Sequence, residues 1–142
     1  MDEAKDLPIM VEGIVFRRLD EKCEILCLKR TVNEGGWWQP VIGHMQWNES
    51  MNDAMKRELH EETGIVQPRE IIEDIWHFHW EHNEEMYLEF VFTIEVSSNQ
   101  EIYLNPEEHD EFRWCSIEEA ISLFKYQNNK NAVLKFKEKF AF

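Results

Sequence analysis

Three glutamates lie at helical spacing near the middle of the sequence, at Glu58, Glu61 and Glu62. Residues at i, i+3 and i+4 share one face of an α-helix, so their carboxylates would converge. Repulsion between charges this close costs free energy unless a cation neutralises them. Oxygen ligands of this kind suit Mg²⁺ or Mn²⁺. The spacing therefore makes these glutamates candidate ligands of a divalent cation.

The apolar residues of the same segment support this interpretation. They form a stripe of Met51, Ala54, Met55 and Leu59. If the stripe continued, positions 58 and 62 would be apolar, but both hold glutamate. An ordinary amphipathic helix does not place carboxylates along its core-facing edge. The alternative is a solvated glutamate-rich face paired with Lys56 and Arg57, and the glutamates alone leave both interpretations open.

A helix over residues 51–63 would hold these carboxylates in place. Ser50 is a typical N-cap, with Asp53 three residues later. Gly64 provides the stop, because glycine favours the left-handed conformation that ends many helices. A second capping sequence at Ser116 predicts a helix to about Lys125, and residues 128–140 form a third candidate helix.

Strand patterns precede and follow the central helix. Alternating or apolar runs predict strands over residues 8–18, 24–29, 41–42, 71–80, 86–96 and 112–115. The predicted order is β-β-β-α-β-β-β-α-α. This order indicates an α/β or α+β fold, with one mixed sheet packed between helices, as a single domain over residues 1–142.

The formal net charge of −14 restricts the class of partner. So acidic a surface repels nucleic acid polymers, whose binding proteins usually carry a basic patch. A small phosphate compound can still bind if a divalent cation lies between the two anions. No apolar run approaches the length of a membrane span, and the acidic N-terminus does not resemble a signal peptide. We therefore expect no membrane association and a cytoplasmic location.

The cysteines and histidines do not predict a transition-metal site. Cys23, Cys27 and Cys115 are an odd, sparse set that argues against a disulfide scaffold and for a reducing compartment. No fourth ligand completes a zinc pattern. His77 and His79 share one face of a predicted strand, but no further His or Cys pairs with them, so a role in a pocket or on the surface is favoured.

The segment from Gly43 to Ile65 resembles the Nudix box, G-x5-E-x7-R-E-U-x-E-E-x-G-U, where U is a bulky aliphatic residue. Every specified position matches, at Gly43, Glu49, Arg57, Glu58, Leu59, Glu61, Glu62, Gly64 and Ile65. Fewer than about one in 10⁶ sequences of this composition would match by chance, which favours the cation site over the solvated face. The resemblance implies a Nudix fold and a Mg²⁺- or Mn²⁺-dependent pyrophosphohydrolase.

The resemblance also implies roles for individual residues. The cation ligands would be Glu58, Glu61 and Glu62, with the carbonyl group of Gly43. Arg57 would orient the carboxylates by pairing with Glu49 or Glu58. Family members differ in which glutamate accepts the proton of the attacking water, and Glu58 is our candidate. We therefore assign catalytic roles to Glu58, Arg57 and Glu61.

A further cation ligand often comes from outside the box in this family. Residues 108–114 resemble the E-H-x-x-[FY]-x-W stretch of many members. Glu108 is the first candidate for this ligand and Glu111 is the second. An acidic loop without a ligand is the alternative for either residue.

The substrate is indicated less directly. The approach to Gly43 through Trp37, Trp38 and Gln39 resembles that of dihydroneopterin triphosphate pyrophosphatases and related nucleoside triphosphate hydrolases, as do residues 126–132. Pro40 and Ile42 depart from the usual small polar residues. We expect Trp37 or Trp38 to stack on a flat ring, with core packing as the alternative.

Three functions remain in competition at this point. The first is a pyrophosphohydrolase that cuts a nucleoside or pterin triphosphate to a monophosphate and pyrophosphate. The second is a Nudix-fold sensor that binds a nucleotide without turnover, although such modules usually lose box glutamates that this chain keeps. The third is an interaction protein with an acidic helix. The sequence is compatible with a monomer or a homodimer.

Overall fold

The computed structural model describes the backbone of residues 6–142 and the side chains of residues 8–142. Strands and helices follow the predicted order along this part of the chain, with one additional short strand before the central helix. In order they are β1 (Asp6–Leu19), β2 (Lys22–Arg30), β3 (Trp38–Gln39), β4 (Val41–Gln46), α1 (Met51–Thr63), β5 (Glu70–His82), β6 (Glu85–Val96), β7 (His109–Cys115), α2 (Ile117–Leu123) and α3 (Gln127–Phe140).

Strand β1 lies at the centre of a mixed sheet. It runs parallel to β6 along one edge, and β5 extends the sheet beyond β6. Its other edge is divided, because β4 pairs with β1 up to Gly13 whereas β2 pairs with it from Phe16 onward. Strands β3 and β7 both pair with β2. The predicted mixed sheet is confirmed, and it divides where β1 changes partner.

Two hydrophobic clusters occupy opposite faces of the sheet. Side chains alternate along a strand, so Ile14 and Phe16 of β1 pack toward α2 and α3, whereas Val11 and Val15 pack toward α1. Helix α3 contributes Ala132, Val133 and Phe136 to its cluster, and helix α1 contributes Ala54, Met55 and Leu59. The expected packing of a mixed sheet between helices is therefore confirmed.

The predicted element boundaries differ from the structure mainly around Pro40. Helix α1 has its predicted bounds, and α2 ends at Leu123 rather than at about Lys125. The sequence predicted one short strand at residues 41–42, but β4 continues to Gln46 and β3 forms before it. Proline has no backbone N–H group and so interrupts pairing, which leaves two strands with different partners.

None of the helices within residues 6–142 is both long enough and apolar enough to cross a membrane.

Candidate active site

Helix α1 is fixed at both ends by the predicted residues. The side chain of Ser50 accepts a hydrogen bond from the backbone N–H of Asp53 at 3.0 Å. Gly64 ends the helix in the left-handed conformation, with φ of 75°, and its N–H donates to the carbonyl of His60 at 2.9 Å. Defined ends set the rotation of the helix, and thus the direction in which its glutamates point.

Two of the helix glutamates are buried, as their positions in the apolar stripe predicted. Glu58 is 9% exposed and Glu62 is 1% exposed, whereas the Glu61 side chain is 48% exposed. Burial raises the pKa of Glu62 well above its ordinary value, and the hydrogen bond and charge of Glu58 raise it further. Burial also raises the pKa of Glu58, against the opposing effect of Arg57. These carboxyls lack a full complement of neutralising charge.

Arg57 connects the box residues to one another. Its guanidinium donates to both carboxylate oxygens of Glu49, at 2.7 and 3.1 Å, and to Glu58 at 2.8 Å. It also reaches Glu61 at 3.2 Å and the carbonyl of His44 at 2.8 Å. Charge-assisted bonds of this kind fix side-chain geometry. The structure therefore places Arg57 where it can orient the carboxylates.

Gly43 on β4 faces the buried carboxyl of Glu58. A Cβ atom at this position would overlap the Glu58 carboxyl group. Only glycine leaves space for the carboxylate to lie against the strand. The close approach explains in physical terms why the chain has glycine here, and it brings the Gly43 backbone beside the helix glutamates.

The donor set fits a divalent cation by its chemistry. The Oε1 atom of Glu62 is buried without a hydrogen-bond partner, and the charge of Glu108 also acts on Glu62. Within residues 6–142, no three His, Cys, Asp or Glu side chains stand in a ready-made cation cluster. Arg57 bonds Glu58 and Glu61 in this arrangement, so a cation would require those two carboxylates to turn from the guanidinium.

The two candidates for the outside ligand lie in different places. Glu108, just before β7, lines the same cavity as Glu58 and accepts a hydrogen bond from the Asn105 side-chain amide at 3.2 Å. Glu111 does not line the cavity; it pairs with Arg113 at 3.4 Å and its side chain is 46% exposed. The placement favours Glu108, the first of the two candidates.

A cavity of about 760 Å³ extends from these carboxylates to the aromatic residues before Gly43. Trp37 and Gln39 line it, and the Trp37 indole N–H donates to Gln39 at 3.0 Å. Tyr126 meets the Trp37 ring edge to face, with ring centroids 5.5 Å apart. The cavity thus has a carboxylate end and an aromatic wall.

Trp38 does not line this cavity. Its ring packs against the hydrophobic cluster beneath α2 and α3, and the Arg113 guanidinium lies 4.8 Å from its centre. Trp38 and Gln39 form β3, and adjacent residues of a strand point to opposite sides, so Gln39 faces the cavity and Trp38 faces the core. Of the two stacking candidates, the structure brings only Trp37 to the carboxylates.

Four residues escaped the sequence analysis as functional candidates: Trp80, Glu89 and Asn129, which line the cavity, and Glu12, to which Asn129 donates a hydrogen bond. Glu12 is fully buried, and Glu89 and Asn129 are each 4% exposed. The available signal was a lone acid at a core-facing position of a strand. Glu12 lies on the same face of β1 as the core residues Ile14 and Phe16. It interrupts that apolar face as Glu58 interrupts the apolar stripe of the helix.

His109 belongs to the stretch of residues 108–114, but its sequence context predicted no role for it. It is 1% exposed, and its Nε2 atom lies 3.4 Å from the side-chain amide nitrogen of Gln39. Burial lowers its pKa to about 4, and the charge of Arg30 contributes. A neutral imidazole at this position fixes Gln39 in the cavity wall.

The strand histidines lie away from the site. His77 pairs with Asp74 at 3.0 Å on the exposed part of β5, and neither His77 nor His79 lines the cavity.

Comparison with known proteins gives a consistent result. The NUDIX domain family model matches residues 11–136. The chain is 31% identical over 99 residues to phosphatase NudJ of Escherichia coli, covering 69% of the chain and 63% of that phosphatase. The chain spans less than two thirds of the length of the curated relatives it matches first.

Solved structures share the fold. A NUDIX hydrolase structure from Listeria monocytogenes has a TM-score of 0.81 and 27% identity, covering 95% of both chains. The dihydroneopterin triphosphate pyrophosphohydrolase of Escherichia coli also has a TM-score of 0.81, at 21% identity, covering 96% of this chain and 99% of that one. The second likeness shows the fold alone.

Proposed function

The chain belongs to the NUDIX family, and from this premise we propose that it is a Mg²⁺- or Mn²⁺-dependent pyrophosphohydrolase of a nucleoside or pterin triphosphate. One observation carries the proposal: the buried carboxyls of Glu58 and Glu62 interact, and Glu58 lines a cavity whose other wall is aromatic. Buried acids this close are unfavourable without compensation. A divalent cation provides that compensation and brings a phosphate compound to an acidic protein.

The proposed cation ligands are Glu58, Glu61, Glu62 and Glu108, with the carbonyl of Gly43. When bound, the cation neutralises the diphosphate oxygens and makes a water molecule more acidic. Arg57 keeps the box carboxylates oriented through its bonds to Glu49 and Glu58. Carboxylate oxygens are hard ligands, which favours Mg²⁺ or Mn²⁺ over zinc.

Glu58 is the proposed general base. It lines the cavity, unlike the more deeply buried Glu62. Burial raises the pKa of Glu58, and a carboxylate with a raised pKa accepts a proton more readily. Glu58 would take the proton of the attacking water, and the products would be a monophosphate and pyrophosphate.

The aromatic wall is the proposed site for the flat ring of the substrate. Trp37 lies in the wall, and Arg30 and Lys125 lie 5.4 and 4.7 Å from its ring centre. These cations also reduce the repulsion between an acidic protein and an anionic ligand. The proposed partner is therefore a small phosphorylated ring compound and not a nucleic acid polymer.

The test is hydrolysis of a panel of phosphoric anhydrides with Mg²⁺, with Mn²⁺ and with excess EDTA. The panel contains nucleoside triphosphates, dihydroneopterin triphosphate, dinucleoside polyphosphates, NADH and ADP-ribose. We expect pyrophosphate release from a triphosphate, abolished by EDTA and restored by either cation. Full activity in EDTA would contradict the proposal. Binding of a nucleotide without turnover of any compound would instead identify a sensor.

A further inference from the structure

A second buried pair of acids lies in the sheet beside the cavity, away from helix α1. It consists of Glu12 on β1 and Glu89 on β6, which we call the strand carboxylates. Glu12 is fully buried and Glu89 is 4% exposed. The neighbouring carboxyl of Glu89 raises the pKa of Glu12, and no ion pair reaches either carboxyl among the described side chains. The proposed hydrolysis does not account for this pair.

Neutral donors surround the strand carboxylates. The indole N–H of Trp80 donates to Glu89 Oε1 at 2.9 Å, and the side-chain amide of Asn129 donates to Glu12 Oε1 at 3.3 Å. Burial raises the pKa of Glu12 well above its ordinary value, and the hydrogen bond with Glu89 raises it further. The raised pKa favours the neutral form of Glu12.

The atoms that remain without partners are acceptors. Glu89 and Asn129 line the cavity, and Glu89 Oε2 and Asn129 Oδ1 are buried without a hydrogen-bond partner. Even a proton on Glu12 would satisfy only part of the capacity of Glu89, because each carboxylate oxygen accepts two hydrogen bonds. An acceptor buried without a donor is unfavourable. A ligand that fits this wall would therefore bring hydrogen-bond donors to it.

The neighbouring side chains restrict the shape of that ligand. Met10, Phe78 and Trp80 line the same part of the cavity and are apolar apart from the indole N–H, which Glu89 already uses. Apolar and aromatic walls accept a flat ring. The donors must therefore lie on the edge of a planar ring that enters between these side chains.

We propose that Glu89 and Asn129 recognise a substrate ring that carries a ring N–H beside an exocyclic amino group, as in the 2-amino-4-oxopyrimidine portion of guanine or a pterin. This inference rests on the proposed function, since it specifies the ring of the same substrate. A carboxylate accepts two adjacent N–H bonds from such an edge. Adenine and cytosine place a ring acceptor beside the amino group, and hypoxanthine lacks the amino group.

The test compares GTP, dihydroneopterin triphosphate and ITP as substrates in the presence of Mg²⁺. ITP retains the ring N–H of GTP and lacks only the amino group. We expect kcat/KM for GTP or the pterin compound to exceed that for ITP by about 10-fold or more, the scale of a lost hydrogen bond to a charged group. Whichever of GTP and dihydroneopterin triphosphate has the higher kcat/KM shows whether guanine or a pterin is the preferred ring. An ITP value equal to or above both others would overturn the inference.

The variant Glu89→Gln tests whether Glu89 causes the preference for GTP over ITP. It should bring the GTP-to-ITP ratio close to one, mainly by raising KM for GTP. Glu73→Gln, on the exposed part of β5 and outside the cavity, should keep the wild-type ratio. A wild-type ratio in Glu89→Gln would overturn the role of Glu89.

Calorimetry of the wild-type protein with GMP and with IMP, without metal, needs neither turnover nor a folded variant. Tighter binding of GMP by about 10-fold or more supports the inference even if no anhydride is hydrolysed, which separates its outcome from that of the proposed function. Equal binding of the two monophosphates, or no binding of either, would count against it.

Discussion

The chain buries two pairs of carboxyl groups beside one cavity, and their surroundings differ. On α1, Glu58 accepts a hydrogen bond from Arg57 and lies against Gly43, and the charge of Glu108 acts on Glu62. The strand carboxylates lie with an indole N–H and a side-chain amide. Burial raises the pKa of acids in both pairs, so burial alone does not distinguish their roles.

The neighbours indicate what each pair can bind. Two buried acids beside a third, exposed carboxylate can share a divalent cation. An acid pair whose hydrogen-bonded partners are neutral donors presents an acceptor surface and suits the N–H edge of a ring. Buried glutamates can thus have two roles in the proposed site. One pair would act at the phosphate end of the substrate, and the other pair would act at the ring.

Removing the charge of a helix carboxylate should have the largest effect. We expect Glu61→Gln and Glu62→Gln each to lower kcat by at least about 10²-fold, because each removes a preorganised charge at the phosphate end. The measurement is kcat at saturating Mg²⁺, with Glu73→Gln as the exposed control. Near-normal kcat in both variants would show that the box is not the reaction site.

Gly43→Ala disturbs the same end without changing a charge. The new Cβ would displace the Glu58 carboxyl, and misplacement of a catalytic group by about 1 Å can lower the rate up to about 10²-fold. We expect kcat to fall about 10- to 100-fold. Gly13→Ala is the matched control, since its Cβ would meet only flexible side chains of Ile94 and Met55. Equal kcat in the two variants would refute the close-approach argument.

Changes at the ring end should act on KM instead. Trp37→Leu removes a stacking surface worth roughly 1–3 kcal/mol and should raise KM about 10-fold, with little effect on kcat. Trp38→Leu should lower the melting temperature, because Trp38 packs against the core, and should leave KM unchanged. If Trp38→Leu raised KM and Trp37→Leu did not, the assignment of the wall would be reversed.

The pH dependence of stability also bears on the helix and strand carboxylates, with an effect smaller than those on kcat and KM. A raised pKa favours the neutral acid in the folded state, so the stabilising contribution is present below the unfolded pKa and is lost as pH rises through the folded pKa. Without metal, both Glu62→Gln and Glu12→Gln should flatten the decline in unfolding free energy as pH rises above the ordinary range of a glutamate pKa.

Magnesium should then affect only one pair. It favours the charged form of Glu62, whose neighbours are Glu58 and Glu108, and should remove the difference between wild type and Glu62→Gln. The difference between wild type and Glu12→Gln should remain. Urea unfolding with and without Mg²⁺ measures both, and an equal response of the two variants would refute the division of roles.

The two pairs also differ in how far the sequence could predict them. Glu58 and Glu62 are four residues apart on one helix, so local periodicity alone brings them together, and the box spacing then indicated their role. Glu12 and Glu89 are far apart in the sequence and meet only because β1 runs parallel to β6. Asn129 reaches them from α3. Strand pairing of this kind depends on tertiary contacts that no local pattern encodes.

The same limit applies to the aromatic residues. The sequence placed Trp37 and Trp38 near the site but could not decide between them. The side of Trp38 follows from the pairing of the short strand β3 with β2, which the sequence analysis did not predict. The helix and its caps were predictable because capping is a local interaction of Ser50 and Gly64.

The central claim is that a divalent cation binds the helix carboxylates and not the strand carboxylates. Mn²⁺ binding, measured by calorimetry or by the spectrum of free Mn²⁺ without substrate, tests this claim most directly in wild type, Glu62→Gln and Glu89→Gln. We predict that Glu62→Gln weakens Mn²⁺ binding by about 10-fold or more, whereas Glu89→Gln binds as wild type does. Unchanged binding in Glu62→Gln, or an equal loss in Glu89→Gln, would contradict the claim.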